Sequence, residues 1–547
     1  MQLVFFILRR KFPSASVNYE GSSECQKSFS LDKPVSLQDS IDTESSKFCF
    51  LNVEKSFQKT EVDWSASGLS RLWGYNLHYF DYLRDDACDA KTGYSLIQHW
   101  VENNTQGGES SWEPFTTSLR IVNWIFFLAK NSECSDQEVQ NSLYLQTLWL
   151  EKNSERHILA NHYFENIKAW VFAGSFFKGK DADRWLQRGQ KLLVEQLQEQ
   201  ILPDGGHYER SPHYHLLMLE NYLDIYNLGL CNRDTLLLEC VEAVKKSAIS
   251  GLEFLHDVLM PDGTIPLFND SVNTSYPCAE KIFEYAEQLG VYSQPDHTEE
   301  TTLIQRESTG LYGYRCGNDL LLIDCGDIGP AYQPGHTHCD FLSYELMVDQ
   351  QRVIVDAGVY EYSAGNMRSY VRSTKAHNTI SVDKQEQSEI WGEFRVARRA
   401  KKIRAVLRRD ESSITFDGAY RGFHTLENSI EHARLFSATQ QPTETSPNVW
   451  IVEDILKETT SSNTAHEVES FVHFHPDFEI TKIDSYCFGV TNSKGLSFKL
   501  SIVDGIEAEI ADSLYCPDFS IKQANKMLVL RITDQLPVKL SYRLEKV

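Results

Sequence analysis

Positive charge is scarce in this 547-residue chain: 53 Lys and Arg are outnumbered by 77 Asp and Glu, giving a formal net charge of −24. Nucleic acid or an anionic membrane surface therefore has no general electrostatic reason to bind it, although a local basic cleft remains compatible with the total. Long apolar runs are also missing. The opening MQLVFFILRRKF carries six apolar residues before Arg9, with charge after rather than before them, so neither a secretory signal nor a transmembrane span is evident. Read literally, the sequence places the chain in the cytoplasm, or in the periplasm if its true start lies elsewhere. The twelve cysteines are scattered, with no CxxC and no short repeated spacing. That argues against a disulfide framework or a cysteine-zinc site and for reduced core thiols.

Aromatic residues are abundant, with 25 Tyr, 29 Phe and 10 Trp, which serve dense cores or sugar-stacking clefts. The length exceeds what one ordinary core organises, so two or three domains are expected. Residues 1–63 are polar, Ser-rich and aperiodic, and read as poorly structured. From Trp64 to about residue 303, segments such as SLRIVNWIFFLAK (118–130), NIKAWVFAGSFF (166–177) and YHLLMLENYLDIYNLG (214–229) carry apolar residues at three- and four-residue spacing. Pro203-Asp204-Gly205 and Pro261-Asp262-Gly263 interrupt this pattern at corresponding places, as in an α/α array, either a bundle or a toroid. Residues 304–547 change to short alternating runs, as expected for an antiparallel β-sandwich.

The densest chemistry lies in PGHTHCDFLSYELMVDQQRVIVDAGVYEY (334–362) and RSTKAHNTISVD (372–383). FLSYELMV, RVIVDAG and HNTISVD alternate like adjacent antiparallel strands. Two imidazoles and one carboxylate make a three-ligand zinc set with a fourth position open. His338, Asp356 and His377 are assigned to Zn2+, leaving His336 for chemistry. Composition alone predicts roughly half an HxH pair in a chain with 17 His, whereas three occur, at His213/His215, His336/His338 and His473/His475. The competing account is that each His is simply hydrogen-bonded within a core. In the helical half, NHYFEN (161–166) and DGGHYERSPHYH (204–215) concentrate amide, imidazole and phenol groups, and Pro212 suits the first turn of a helix.

NHYFENIKAW, DGGHYERSPHYH, PGHTHCDFLSYEL and RSTKAHNTISVDKQEQSEIWGEFRVARRA, in this order, resemble the heparinase II/III-like polysaccharide lyases. LWGYNLHYFDYL and WEPFTTSLRIVNW are similar to upstream segments of bacterial members associated with surface-polysaccharide synthesis. The resemblance implies an incomplete (α/α) toroid followed by an antiparallel β-sandwich, with the active site in the cleft between them. It also implies β-elimination on a uronic-acid polysaccharide: removal of the C5 proton and expulsion of the C4 oxygen. Carried over residue by residue, Asn161 with His162 beside it stabilises the substrate carboxylate. Tyr214 is the general acid with Tyr208 as the alternative, His336 is the second base, and His338, Asp356 and His377 match the family's zinc triad. Tyr208, Arg368 and Arg372 are expected to contact the anionic polysaccharide. The eight basic residues of Arg395–Arg409 either line the cleft or form a solvated strand face. Two alternatives stay open: a zinc-dependent glycan hydrolase, and a non-catalytic glycan-binding protein of surface-polysaccharide assembly.

Overall fold

The computed structural model describes residues 24–25, 29–31, 41–42, 47–57, 61–134, 136–233, 235–273, 277–293, 295, 300–439, 447–460 and 463–547. Much of the segment 1–63, read above as poorly structured, lies outside these residues. Its described part contains a three-stranded antiparallel sheet of Ile41–Asp42, Lys47–Phe50 and Val53–Ser56. Two aromatic residues explain that order: Phe48 and Phe50 are buried, and their rings pack on Tyr82 and Trp73 respectively, at 5.1 Å.

Chain contacts divide the molecule into two compact units. The first comprises Met1–Ile201, Leu216–Leu252 and Tyr276–Ser293; the second comprises Leu202–His215, Glu253–Ser275 and Gln294–Val547. Nine helices among the described residues precede the β-rich half: α1 Arg71–Tyr79, α2 Ala90–Asn103, α3 Pro114–Lys130, α4 Gln137–Asn153, α5 Ala160–Phe176, α6 Lys180–Gln200, α7 Pro212–Cys231, α8 Leu238–Val258 and α9 Ala279–Gln288. Their starts follow capping chemistry. Ser70, Asp89 and Asp136 accept from the backbone N–H of Trp73, Thr92 and Val139, and Pro114 occupies the first position of α3. Helix α5 is buried almost all round, whereas α6 buries one stripe, Trp185, Gly189, Leu193 and Leu197, at the expected spacing. Close approach of α5 and α6 depends on glycine: a Cβ at Gly174 would lie 2.7 Å from the Leu186 backbone N, and one at Gly189 2.7 Å from Val171 Cγ2. No described helix is long and apolar enough to cross a membrane.

In the second unit, five antiparallel strands run in chain order: Thr302–Arg306, Leu311–Cys316, Asp319–Asp324, Tyr344–Val348 and Gln351–Ile354. An eight-stranded sheet follows the order Lys401–Arg409, Ser413–Gly422, Ile430–Thr439, Val449–Glu458, Val538–Lys546, Ser497–Ile502, Cys487–Asn492 and Phe478–Lys482. A four-stranded sheet joins Glu507–Asp518, Ile521–Gln535, Ala465–His473 and Ile380–Val382. The three sheets share one apolar core that includes Tyr314, Leu346, Phe416, Phe436, Val472 and Leu528. The run HNTISVD therefore does not pair with RVIVDAG; its strand Ile380–Val382 lies against Val468–Ser470. Lys401–Arg409 is the edge of the large sheet, and its cationic side chains discourage edge-to-edge pairing. All twelve cysteines are free thiols.

Candidate active site and metal centre

The two Pro-Asp-Gly turns close in the same way. Leu202 N–H donates to the Gly206 carbonyl and Met260 N–H to that of Thr264, with Gly205 and Gly263 at φ +89° and +81°. Each turn thus delivers a polar segment into the second unit: His207–His215 after the first, Asn269-Asp270-Ser271 after the second.

Asp270 is the hub. Its Oδ2 lies 2.9 Å from His336 Nδ1 and 2.8 Å from Arg368 Nη2, and its Oδ1 lies 2.8 Å from His338 Nε2 and also receives Arg368 Nη1. Burial favours the protonated carboxyl, but Arg368 and the two imidazoles overcome it and hold Asp270 well below the usual carboxylate range. An ionised carboxylate only accepts, so His336 Nδ1 and His338 Nε2 carry hydrogen, leaving a lone pair on His336 Nε2 and on His338 Nδ1. Asp356 Oδ2 lies 2.7 Å from His377 Nδ1. Asn269, at φ +57°, completes the frame: its Oδ1 accepts from His338 N, and its own N–H donates to Asp340 Oδ2, both at 3.0 Å.

The atoms left over outline a candidate metal centre. His338 Nδ1 and His377 Nε2 are buried without a hydrogen-bond partner. The ligand atoms of His338, Asp340 and His377 lie within 4.8 Å of one another, so this fully buried trio can hold a metal ion. The charge balance fits a cation. Burial, with Asp356 adding and His377 opposing, pushes Asp340 up to about 6. Burial would lower His377, yet the Asp356 and Asp340 carboxylates raise it to about 9. The sequence reading grouped His338 and His377 with Asp356, whereas the ligand atoms that lie closest together are those of His338, His377 and Asp340. Asp340 stands two residues after His338, and Asp356 orients His377 from the far nitrogen.

Tyr214, His336 and Tyr362 reach solvent at the site. Tyr214 is half-buried, and the His336 side chain is 12 % exposed, whereas His338, His377 and Asp356 are sealed at 0 %. The Tyr214 ring stacks on the His336 imidazole with centroids 3.7 Å apart. Its hydroxyl lies 3.3 Å from that of Tyr362, a residue that local sequence pattern did not single out. Burial first, then the Tyr362 hydroxyl and Asp270, hold Tyr214 well above the ordinary phenol value, so it keeps its proton. Glu209 Oε1 is 3.7 Å from His336 Nε2. Tyr208 is buried, 5.0 Å from the His207 ring and 6.3 Å from that of Tyr332.

The two arginines expected at a substrate both have protein partners. Arg368 spends its donors on Asp270 and the Glu393 carbonyl, and Arg372 on the Thr337 and Gly392 carbonyls. Both are buried, because the loops they brace present carbonyls with no strand partner. His473 is held by Ser513 Oγ and the Lys375 carbonyl, as a core histidine would be.

Asn161 and His162 belong to the first unit, in the opening turn of α5. Leu159 and Ala160 just before them adopt φ +66° and +53°, a conformation costly for residues bearing a side chain and concentrated at functional sites. Asn161 is 5 % exposed; His162 Nδ1 lies 3.3 Å from Glu155 Oε1, and its ring 4.4 Å from Phe115.

Helices followed by antiparallel sheets, with an HTH segment against a buried His/Asp/His trio, define the class. Two adjoining family models cover nearly the whole chain: Heparinase II/III N-terminus matches residues 57–298, and Heparinase II/III-like, C-terminal matches 300–541. The chain belongs to the heparinase II/III-like family. It is 26 % identical over 293 residues to a heparin-sulfate lyase of Pedobacter heparinus, covering 50 % of this chain and 42 % of the relative. To that of Bacteroides thetaiotaomicron it is 25 % identical over 348 residues, 55 % and 49 % of the two chains. The chain thus matches about half the length of these relatives or less. FtsZ-localized protein C of Caulobacter vibrioides is 24 % identical over 393 residues, 67 % of this chain and 62 % of that one. A crystal structure of heparinase III shares the fold with TM-score 0.70 at 16 % identity, covering 90 % of this chain and 80 % of its own.

Proposed function

We propose that this chain is a polysaccharide lyase that cleaves a uronic-acid polymer by β-elimination. The observation that carries the reading is the solvent-reaching Tyr214–His336 stack. One partner is poised to give a proton and the other to take one. Asp270 fixes the hydrogen of His336 on Nδ1, so Nε2 is the basic atom and removes the C5 proton of the uronate. The electron pair forms the C4–C5 double bond, the C4–O4 bond breaks, and the Tyr214 hydroxyl protonates the departing oxygen. Charge developing on the substrate carboxylate calls for a neutral donor, the role proposed for Asn161 with His162. Tyr208 is the alternative acid.

The metal proposed for His338, Asp340 and His377 is zinc, which suits two imidazoles and a carboxylate. When bound it supplies positive charge to a pocket of buried carboxylates, and the residues around it hold the HTH segment, and so His336, in place. The substrate is proposed to be unsulfated or lightly sulfated, since a net charge of −24 opposes every added sulfate.

The test is a screen of alginate, unsulfated glycosaminoglycans and bacterial capsular polymers for growth of near-ultraviolet absorbance, the mark of the conjugated C4–C5 double bond. His336→Ala and Asn161→Ala should each suppress it. Reducing ends released without absorbance would instead indicate hydrolysis. Tight binding with no cleavage of any polymer would indicate an assembly protein.

A further inference from the structure

The chain has ten tryptophans, and nine are buried in cores. Trp391 is the exception, 66 % exposed. Exposing so large an apolar surface is unfavourable unless something covers it. Of the four large exposed aromatics among the described residues, Tyr332, Trp391, Phe394 and Tyr486, two lie against rings of the site, and Trp391 precedes one of these by three residues. Phe394 sits 6.3 Å from the His336 ring and 5.6 Å from Tyr362, and Tyr332 adjoins Tyr208.

The segment bearing Trp391 is a braced hairpin. Ile390 and Val396 form an antiparallel bridge, and Trp391 N–H donates to the Arg395 carbonyl at 2.8 Å. Gly392, at φ +74°, makes the turn. Arg372 Nη1 holds the Gly392 carbonyl at 2.6 Å, and Arg368 Nη2 holds that of Glu393 at 2.8 Å. Two buried guanidiniums thus fix the tip from beneath, and one of them also clamps Asp270. The backbone that carries the indole is tied in this way to the frame of His336. Exposed Arg395 stands 5.7 Å from its centroid.

We infer that Trp391 and Arg395 form a sugar subsite for the polymer chain. A pyranose presents its C–H face to the indole, and the uronate carboxylate pairs with the Arg395 guanidinium. The identity of the polymer rests on the lyase reading above; the existence of the platform does not. Stacking at a position away from the reacting atoms contributes to ground-state and transition-state binding alike. Its loss therefore raises KM and leaves kcat in place.

Acrylamide quenching of intrinsic fluorescence tests this without reference to catalysis, because Trp391 supplies the accessible component. Alginate and an unsulfated glycosaminoglycan are the probes. We expect at least one of them to shield the quenchable fraction in the wild type, and Trp391→Ala to remove that fraction. On a cleaved polymer, Trp391→Ala should raise KM by roughly tenfold, with kcat within about twofold and most of the loss recovered in Trp391→Phe. Tyr486→Ala, an exposed aromatic on another hairpin, should change neither readout. Quenching that neither probe alters, or an unchanged KM in Trp391→Ala, overturns the subsite. Shielding without elimination product keeps the subsite and rejects the lyase. Elimination with KM unmoved keeps the lyase and rejects the subsite.

Discussion

At the scale of single residues, the paired hydrogen bonds to Asp270 and Asp356 assign each imidazole nitrogen a task, and the assignments are separable by mutation. Asp340→Asn should lose the bound ion. Asp356→Asn, which removes only the orienting carboxylate, should retain it with affinity lowered by about 10- to 100-fold. Elemental analysis and competition with a chelator distinguish the two. Tyr214→Phe keeps the ring on His336 and removes the hydroxyl, so the protein should fold normally while elimination slows by roughly 10² or more. His338 and His377 could be brought together from the sequence because they sit in long motifs that occur in a fixed order, whereas an HxH spacing alone is weak evidence. Asp340, two positions beyond His338, was not singled out; the assignment went to Asp356 on the next run. Asp270 could not be read at all. Its partners lie 66 to 98 residues downstream, and nothing local in Leu267–Ser271 says that a turn will deliver it to them.

At the scale of elements, strands Ile430–Thr439 and Val449–Glu458 place Arg434 directly opposite Asp454, where the pair is bidentate at 2.7 and 2.9 Å with His432 added at 2.7 Å. Arg434 also donates to the Leu342 and Asn378 carbonyls, behind the segments that carry Asp340 and His377. Arg434→Leu strips a buried carboxylate of its guanidinium, leaving His432 alone beside it, and should cost about 3–5 kcal/mol, read by denaturant unfolding. Burial favours protonated Asp454, but Arg434 and His432 hold its folded value well below the ordinary carboxylate range. A folded value below the unfolded one means this stabilisation is present above about pH 4 and fades as pH falls further. The contribution should vanish from the pH dependence of unfolding in Asp454→Asn. Helices α3, α5, α6 and α7 were recognisable because their apolar spacing persists over whole turns. The strand at Ile380–Val382 was recognised, but its partner was not: period-two alternation fixes which face is buried, not which strand lies alongside.

At the scale of the whole molecule, helices followed by antiparallel sheets could be read from the change in periodicity near residue 300. The interleaving of the two units could not. The second unit borrows Leu202–His215 and Glu253–Ser275 from the helical half of the sequence, and these carry Tyr214, Asn269 and Asp270. A fragment beginning at residue 300 therefore contains every residue of the trio but lacks Asp270 and Asn269, whose side chains hold His336 and His338. It should bind zinc far more weakly than the full chain and show no elimination, as calorimetric titration and the absorbance assay would report. The borrowed segments also set a schedule for biosynthesis. Asp270 leaves the ribosome 98 residues ahead of Arg368, and at ordinary elongation rates it waits on the order of 5–20 s for its counter-charge. During that interval a carboxylate destined for complete burial must remain in water, and it keeps Leu267–Ser271 from settling with it. The helical half can thus gather its own core while still nascent, but the frame around Asp270 closes only after the hairpin that presents Trp391 has been made.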